Sequence, residues 1–200
     1  MVNTAVAARA DTEPDPARLP AAERILCAAQ RLFHRQGIRA TGIEEVVRAA
    51  GTTKMSLYRA FPSKDALVAA ILDRDQEEFA AWFRFTLAGK AGPEERLRAM
   101  IAAFADEFRQ TDRCGCPLLL AQAEFREPGH PTHAEVRRHK LRHRALVAEA
   151  AQGTRDPEKL ADALAMVIDG AWEALPFLGG PRTAEILSAA AGCLIDAEFA

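Results

Sequence analysis

Between Thr41 and Lys64 the chain runs Thr-Gly-Ile-Glu-Glu-Val-Val-Arg-Ala-Ala-Gly-Thr-Thr-Lys-Met-Ser-Leu-Tyr-Arg-Ala-Phe-Pro-Ser-Lys, and no other stretch restricts the fold as tightly. It reads as two short helices joined by a glycine turn. Ile43, Val46, Val47 and Ala50 form an apolar stripe at helical spacing, and Gly51 suits the left-handed conformation that ends a helix. Thr41 followed three residues on by Glu44 spells a capping box for the first helix; Thr53 caps the second, and Pro62 halts it. Leu57, Phe61 and Met55 point inward or along an edge, while small hydroxyls, Lys54 and Tyr58 stand where a core-facing helix would carry leucines. A helix of that kind keeps one polar flank outside its own protein, which is what entry into a DNA groove requires.

Charge is distributed to match. Residues 21–64 carry eight Lys/Arg against three acids, a net of +5, whereas residues 65–200 are net −6 and the whole chain is −2. A basic head on an acidic body suits phosphate neutralisation. Apolar residues make up 49% of the 200, enough for a sizeable core. No apolar run approaches the roughly 20 residues of a membrane helix, and the N-terminus lacks the pattern of a secretion signal. A cytoplasmic protein without a membrane partner is expected. Four cysteines (Cys27, Cys114, Cys116, Cys193) in so long a chain do not suggest a disulfide scaffold.

The remaining periodicity is helical throughout, and the predicted fold is all-α with about nine helices. Residues 1–19 read as a flexible arm, 20–66 as a helix-turn-helix DNA-binding domain of three helices, and 67–200 as a larger ligand-binding and dimerisation domain. The first helix, with Ile25, Ala29, Leu32 and Phe33 aligned, stops at Gly37. Ser63 caps a fourth that runs to about Leu87, and a fifth spans about 94–110. Pro117 begins a sixth through Phe125, Thr132 a seventh to about Gln152, Asp156-Pro157 an eighth ending before Gly179-Gly180, and Pro181 or Thr183 a ninth.

With this helix count, and with Gly51 and the string Leu57-Tyr-Arg-Ala-Phe-Pro-Ser-Lys-Asp-Ala-Leu67, the chain resembles the TetR family of bacterial transcriptional repressors. The motif match spans roughly residues 21–72; the rest matches in helix count and length. The resemblance implies that Thr41 bonds a phosphate at a helix N-terminus, that Thr52, Thr53, Lys54 and Ser56 face the major groove or its rim, and that Tyr58 and Lys64 meet phosphates. Arg59 and Met55 complete the candidate DNA-binding set. Met55 departs from the small residue frequent in relatives, and reads either as a contact to a thymine methyl or as a packing residue. Ala60 also departs, removing one possible phosphate contact.

The last two helices are rich in alanine and glycine, which permits close helix approach. In the resembled family they pair with a second subunit as a four-helix bundle; packing within one chain is the alternative. Leu164, Ile168, Ala171, Leu187, Ala190 and Leu194 are the candidate dimer residues. Ligand-pocket candidates are Trp82, Phe104, Phe108, Leu119, Phe125, Trp172 and Phe177, with Gln122, Glu124 and Asp169 as polar anchors; the same aromatics read equally as core. The function that follows is a homodimeric repressor that binds a double-stranded DNA operator and is released by a small apolar or amphipathic inducer.

Cys114-x-Cys116 with His130-x-x-His133 offers two thiols and two imidazoles for zinc, or adjacent thiols for redox sensing. The spacings are off the usual zinc pattern, so no metal or cofactor is expected. The basic run Arg137–Arg144 reads as a solvated helix face balanced by acids elsewhere. A nucleophile elbow, a phosphate loop and a His-Glu zinc motif are all missing from the sequence, so an enzyme is not expected. A helical adaptor, or a ligand-binding protein without DNA affinity, is the rival reading.

Overall fold

Glycines, prolines and hydroxyl caps cut the chain into helices close to where the sequence places them. The computed structural model describes residues 19–110 and 115–200; the expected arm, apart from Leu19, and Cys114 lie outside the described residues. The described residues form nine helices and no strand: α1 Ala21–Gln36, α2 Ile43–Ala49, α3 Lys54–Ala60, α4 Lys64–Leu87, α5 Pro93–Gln110, α6 Pro117–Glu124, α7 Pro131–Ala150, α8 Pro157–Leu178 and α9 Gly180–Phe199. They divide into two compact units. One holds residues 19–76 and 117–139, the other residues 77–110, 115–116 and 140–200. The division at residues 76 and 77 falls inside α4, as does the functional boundary expected at residue 66.

In the first unit α1, α2 and α3 pack on one another. Ile25, Ala28, Ala29, Leu32 and Phe33 of α1 are buried together with Val46 of α2 and Leu57 of α3. The turn between α2 and α3 is closed by two reverse hydrogen bonds: the Thr52 N–H donates to the Val47 carbonyl (2.9 Å) and the Gly51 N–H to that of Arg48 (3.2 Å). Gly51 sits at φ +57°, the left-handed conformation this motif needs. Arg24 secures the turn from α1, donating from Nε to the Ala50 carbonyl (3.0 Å) and from Nη2 to that of Gly51 (3.3 Å). The Thr53 hydroxyl accepts the Ser56 N–H (3.2 Å) at the start of α3, and that of Ser63 accepts the Ala66 N–H (3.0 Å) at the start of α4.

The capping box predicted for α2 does not form. Gly42 is the N-cap and no side chain caps there. Thr41 instead closes the end of α1: its hydroxyl donates to the Gly37 carbonyl (2.7 Å) and accepts from Gln36 Nε2 (3.2 Å). A carbonyl left over where α1 stops takes the hydroxyl that the local pattern assigned to α2.

Asp75 of α4 is buried and binds α1, accepting from Gln30 Nε2 (2.7 Å) and lying 2.9 Å from His34 Nε2. Burial works against its charge, but the bonds from His34 and Gln30 outweigh burial and hold the carboxyl below its ordinary range. The stabilisation is therefore complete above the unfolded carboxyl pKa of about 3.9 and disappears as pH falls through the lower folded value. We expect the thermal midpoint of the wild type to fall more steeply than that of Asp75→Asn when pH is lowered from about 5 to about 3. Parallel midpoint curves would show that the pair carries no such linkage.

In the second unit α5, α8 and α9 pack together. Asp156 caps α8, accepting the Lys159 N–H (3.1 Å), with Pro157 as its first residue. Gly180 opens α9 against the backbone of α5, where an added Cβ would stand 2.1 Å from the Phe108 carbonyl oxygen. Phe79, Trp82, Phe104, Phe108 and Trp172 form a continuous aromatic cluster, and the His143 ring lies 3.9 Å from that of Phe79.

Four of the six predicted dimer residues are core residues of a single chain: Leu164, Ile168, Ala171 and Leu187 are buried, Leu194 is half-buried, and only Ala190 is exposed. The outward stripe of α8 is Met166, Gly170 and Phe177, and that of α9 is Ile186, Ala189, Ala190, Cys193 and Ala197. Both helices are apolar on two faces. Spacing alone identifies the stripes without saying which one the chain's own core takes.

Candidate nucleic-acid interface

α3 meets α1 and α2 through Leu57, which is fully buried, and turns its other flank outward. On that flank Thr53, Lys54, Met55, Tyr58 and Arg59 are exposed, and Thr52 and Ser56 are half-exposed. Met55 is 79% exposed and Tyr58 48%, so the packing reading of Met55 is corrected: its side chain has left the core. Exposed large apolar and aromatic groups on a short helix, next to a lysine, an arginine and three hydroxyls, offer hydrogen-bond donors and an apolar contact to one surface.

Lys54 Nζ lies 2.5 Å from Glu44 Oε1 of α2. The hydrogen bond and the opposite charge raise the lysine pKa and lower that of the carboxyl. The pair is solvent-exposed, so Lys54 can exchange this partner for a phosphate at little cost.

Two members of the predicted set are placed differently. Thr41 is 0% exposed, so its hydroxyl does not reach a phosphate. Lys64 is half-buried: its ammonium donates to the Thr41 carbonyl (2.7 Å) and lies 5.9 Å from the centre of the Phe33 ring. Burial is the largest influence on Lys64 and holds it below the usual lysine range. Its position ties the start of α4 to the segment before α2.

Of the predicted ligand set, Trp82, Phe104, Phe108 and Trp172 belong to the aromatic cluster of the second unit, and Leu119, Gln122 and Phe125 lie in the first. Phe125 stacks on His130 at 4.1 Å, Gln122 is exposed, and Phe177 is an exposed residue of α8. The two acidic anchors have partners of their own. Asp169 bonds Lys140, and Glu124 accepts the N–H groups of Ile38 (2.9 Å) and Arg39 (2.6 Å).

The residues considered for zinc are engaged in other ways. His133 Nε2 lies 2.6 Å from the Phe125 carbonyl, and the Thr132 N–H donates to His130 Nδ1 (3.3 Å). Cys116 is buried in the second unit beside Lys140; burial pulls the lysine pKa down, and the contacts with Cys116 and Asp169 outweigh that pull and raise it. A different trio, Asp73, Glu135 and His139, brings its ligand atoms within 4.8 Å of one another. Arg138 already places a guanidinium there, donating to Asp73 Oδ1 (2.8 Å) and to Glu135. The basic run on α7 is balanced by acids, since Arg144 pairs with Asp162 and Glu158 and Lys140 with Asp169, but it is not the solvated face expected: His139 is buried and Lys140 half-buried.

Known proteins share this arrangement. Residues 25–71 match the model of the bacterial regulatory proteins of the tetR family. The structure superposes on SCO4454, a TetR-family transcriptional regulator from Streptomyces coelicolor, with a TM-score of 0.83, at 28% identity over 89% of this chain and 95% of that one. A protein from Streptomyces avermitilis (SAV143), described as a TetR transcriptional regulator, gives a TM-score of 0.78 at 30% identity over 90% of this chain and 99% of that one. The transcriptional activator FasR of Mycolicibacterium smegmatis is 35% identical over 114 residues, which is 56% of this chain and 52% of FasR. The chain thus spans about half the length of that curated relative. A matched head, an all-α fold common to full-length neighbours and 30% identity over nearly the whole of one of them lead to a single assignment: this chain belongs to the TetR family of bacterial transcriptional regulators.

Proposed function

We propose that the protein is a DNA-binding transcriptional regulator, a homodimeric repressor that leaves its operator when a small apolar or amphipathic ligand binds. The observation that carries the reading is the outward flank of α3, with Thr53, Lys54, Tyr58 and Arg59 exposed around a buried Leu57. In a twofold dimer two such helices read half-sites about 34–36 Å apart, one turn of duplex. The name of FasR says that it activates, and the sign of regulation is read directly by a reporter. A transcriptional fusion of the chain's own upstream region should be silenced when the protein is supplied. Raised expression would establish activation in place of repression. The ligand reading rests on the aromatic cluster of α4, α5 and α8, whose apolar rings suit an apolar guest.

Dimerisation is supported by the outward stripes of α8 and α9, where Met166 and Phe177 are each 76% exposed beside Gly170 and Ala190. Side chains that large are seldom left in water along a stripe of small residues, and a second copy would cover them. We expect the double substitution Met166→Asp and Phe177→Asp to convert the dimer to a folded monomer in sedimentation. A variant that still sediments as a dimer would place the interface on another face.

A further inference from the structure

Glu124 is the last residue of α6, yet it is bound to the segment that leads into the helix-turn-helix. Its two carboxylate oxygens accept the consecutive N–H groups of Ile38 (2.9 Å) and Arg39 (2.6 Å), and its own carbonyl accepts from Arg39 Nη1 (3.0 Å). The chain is shaped for this. Gly37 stands at φ +91°, which turns the next two amides to the same side, and a Cβ on Gly37 would lie 3.1 Å from Glu124 Oε1. Successive amides facing one way form a concavity for an anion, and here that anion is a side chain 85 residues further along. Downstream of the contact are Thr41, which Lys64 grips from α4, and then α2.

We infer that Glu124 is a positioning residue for the DNA-binding head: α6 holds residues 37–39 by this carboxylate, and the bearing of α2 and α3 on DNA follows the position of α6. The inference rests on the DNA-binding reading above. It adds that the working head is not residues 20–66 alone.

The test uses the full chain and a labelled duplex of its own upstream region. Hydrogen exchange at the Ile38 and Arg39 amides is followed alongside DNA affinity. Glu124→Ala should speed exchange at those two amides at least tenfold and weaken DNA binding about tenfold, with the salt dependence of binding unchanged because no phosphate contact has been removed. Glu124→Gln keeps an acceptor oxygen and should recover part of both effects. Glu127→Ala removes a carboxylate that lies 3.9 Å from the same Arg39 without touching the amides, and should behave as wild type. Gly37→Ala, which crowds the carboxylate from the other side, should reproduce Glu124→Ala. A Glu124→Ala protein with wild-type exchange at both amides, or with faster exchange and DNA affinity within twofold of wild type, overturns the inference. A wild type that leaves the duplex free would overturn the DNA-binding reading instead, and exchange at the two amides would still decide whether the contact holds the segment.

Discussion

Replacing Gly180 by alanine should lower the thermal midpoint sharply. The added Cβ would sit 2.1 Å from the Phe108 carbonyl oxygen, and that oxygen is backbone, so no rotamer change can relieve the clash. α5 and α9 must move apart, and Phe108, buried where they meet, loses packing with them. Overpacking a core typically costs 1–3 kcal/mol and occasionally more; at the upper end of about 3 kcal/mol, the midpoint of a chain this size falls by roughly 6–12 °C. Gly192→Ala is the matched control. It lies in the same helix, nothing stands within 4 Å of its added Cβ, and the gain in helix propensity should stabilise by up to about 1 kcal/mol. Equal losses for the two variants would show that the close approach at Gly180 is not what makes glycine necessary there.

The second large effect is on DNA. Lys54→Ala combined with Tyr58→Ala removes a cation and a phenol from the outward flank of α3 and should weaken operator binding by roughly 10- to 100-fold, on the order of 1–3 kcal/mol. The slope of log affinity against log salt should become shallower by about one, for the single phosphate that Lys54 neutralises. Both residues are exposed and the Lys54–Glu44 pair is a surface pair, so the thermal midpoint should barely change. Affinity that survives the double substitution would move the recognition surface away from α3. A large fall in midpoint would instead make Tyr58 a structural residue.

Features settled within a few residues of chain were legible in the sequence. Gly51 in a left-handed turn, Thr53, Ser63 and Asp156 as caps, and Pro157 as a first helical residue all depend on neighbours fewer than six positions away. The helix limits follow from the same local rules. What the sequence misassigned was decided by tertiary partners. Thr41 and Glu44 have capping-box spacing, but the Gly37 carbonyl and the Lys54 ammonium claim them. Leu164, Ile168, Ala171 and Leu187 sit on an apolar stripe that the core took, leaving the second stripe, with Met166 and Phe177, outside. A helix that is apolar on two sides gives no local sign of which side faces inward. Glu124 read as a polar group near a pocket because its actual partners are 85 and 86 residues away, beyond the range of any periodicity. Arg24 was unremarkable for the same reason: the carbonyls it binds belong to a turn 26 and 27 residues on.

The central claim is that the outward flank of α3 lies against duplex DNA, and fluorescence anisotropy with a labelled fragment of the chain's own upstream region tests it most directly. The account predicts a saturable complex at low salt that an unlabelled copy displaces more readily than an unrelated duplex, with affinity falling steeply between about 50 and 200 mM salt. Anisotropy that stays flat at low salt up to high protein concentration, or a complex that both duplexes displace equally well, would contradict it.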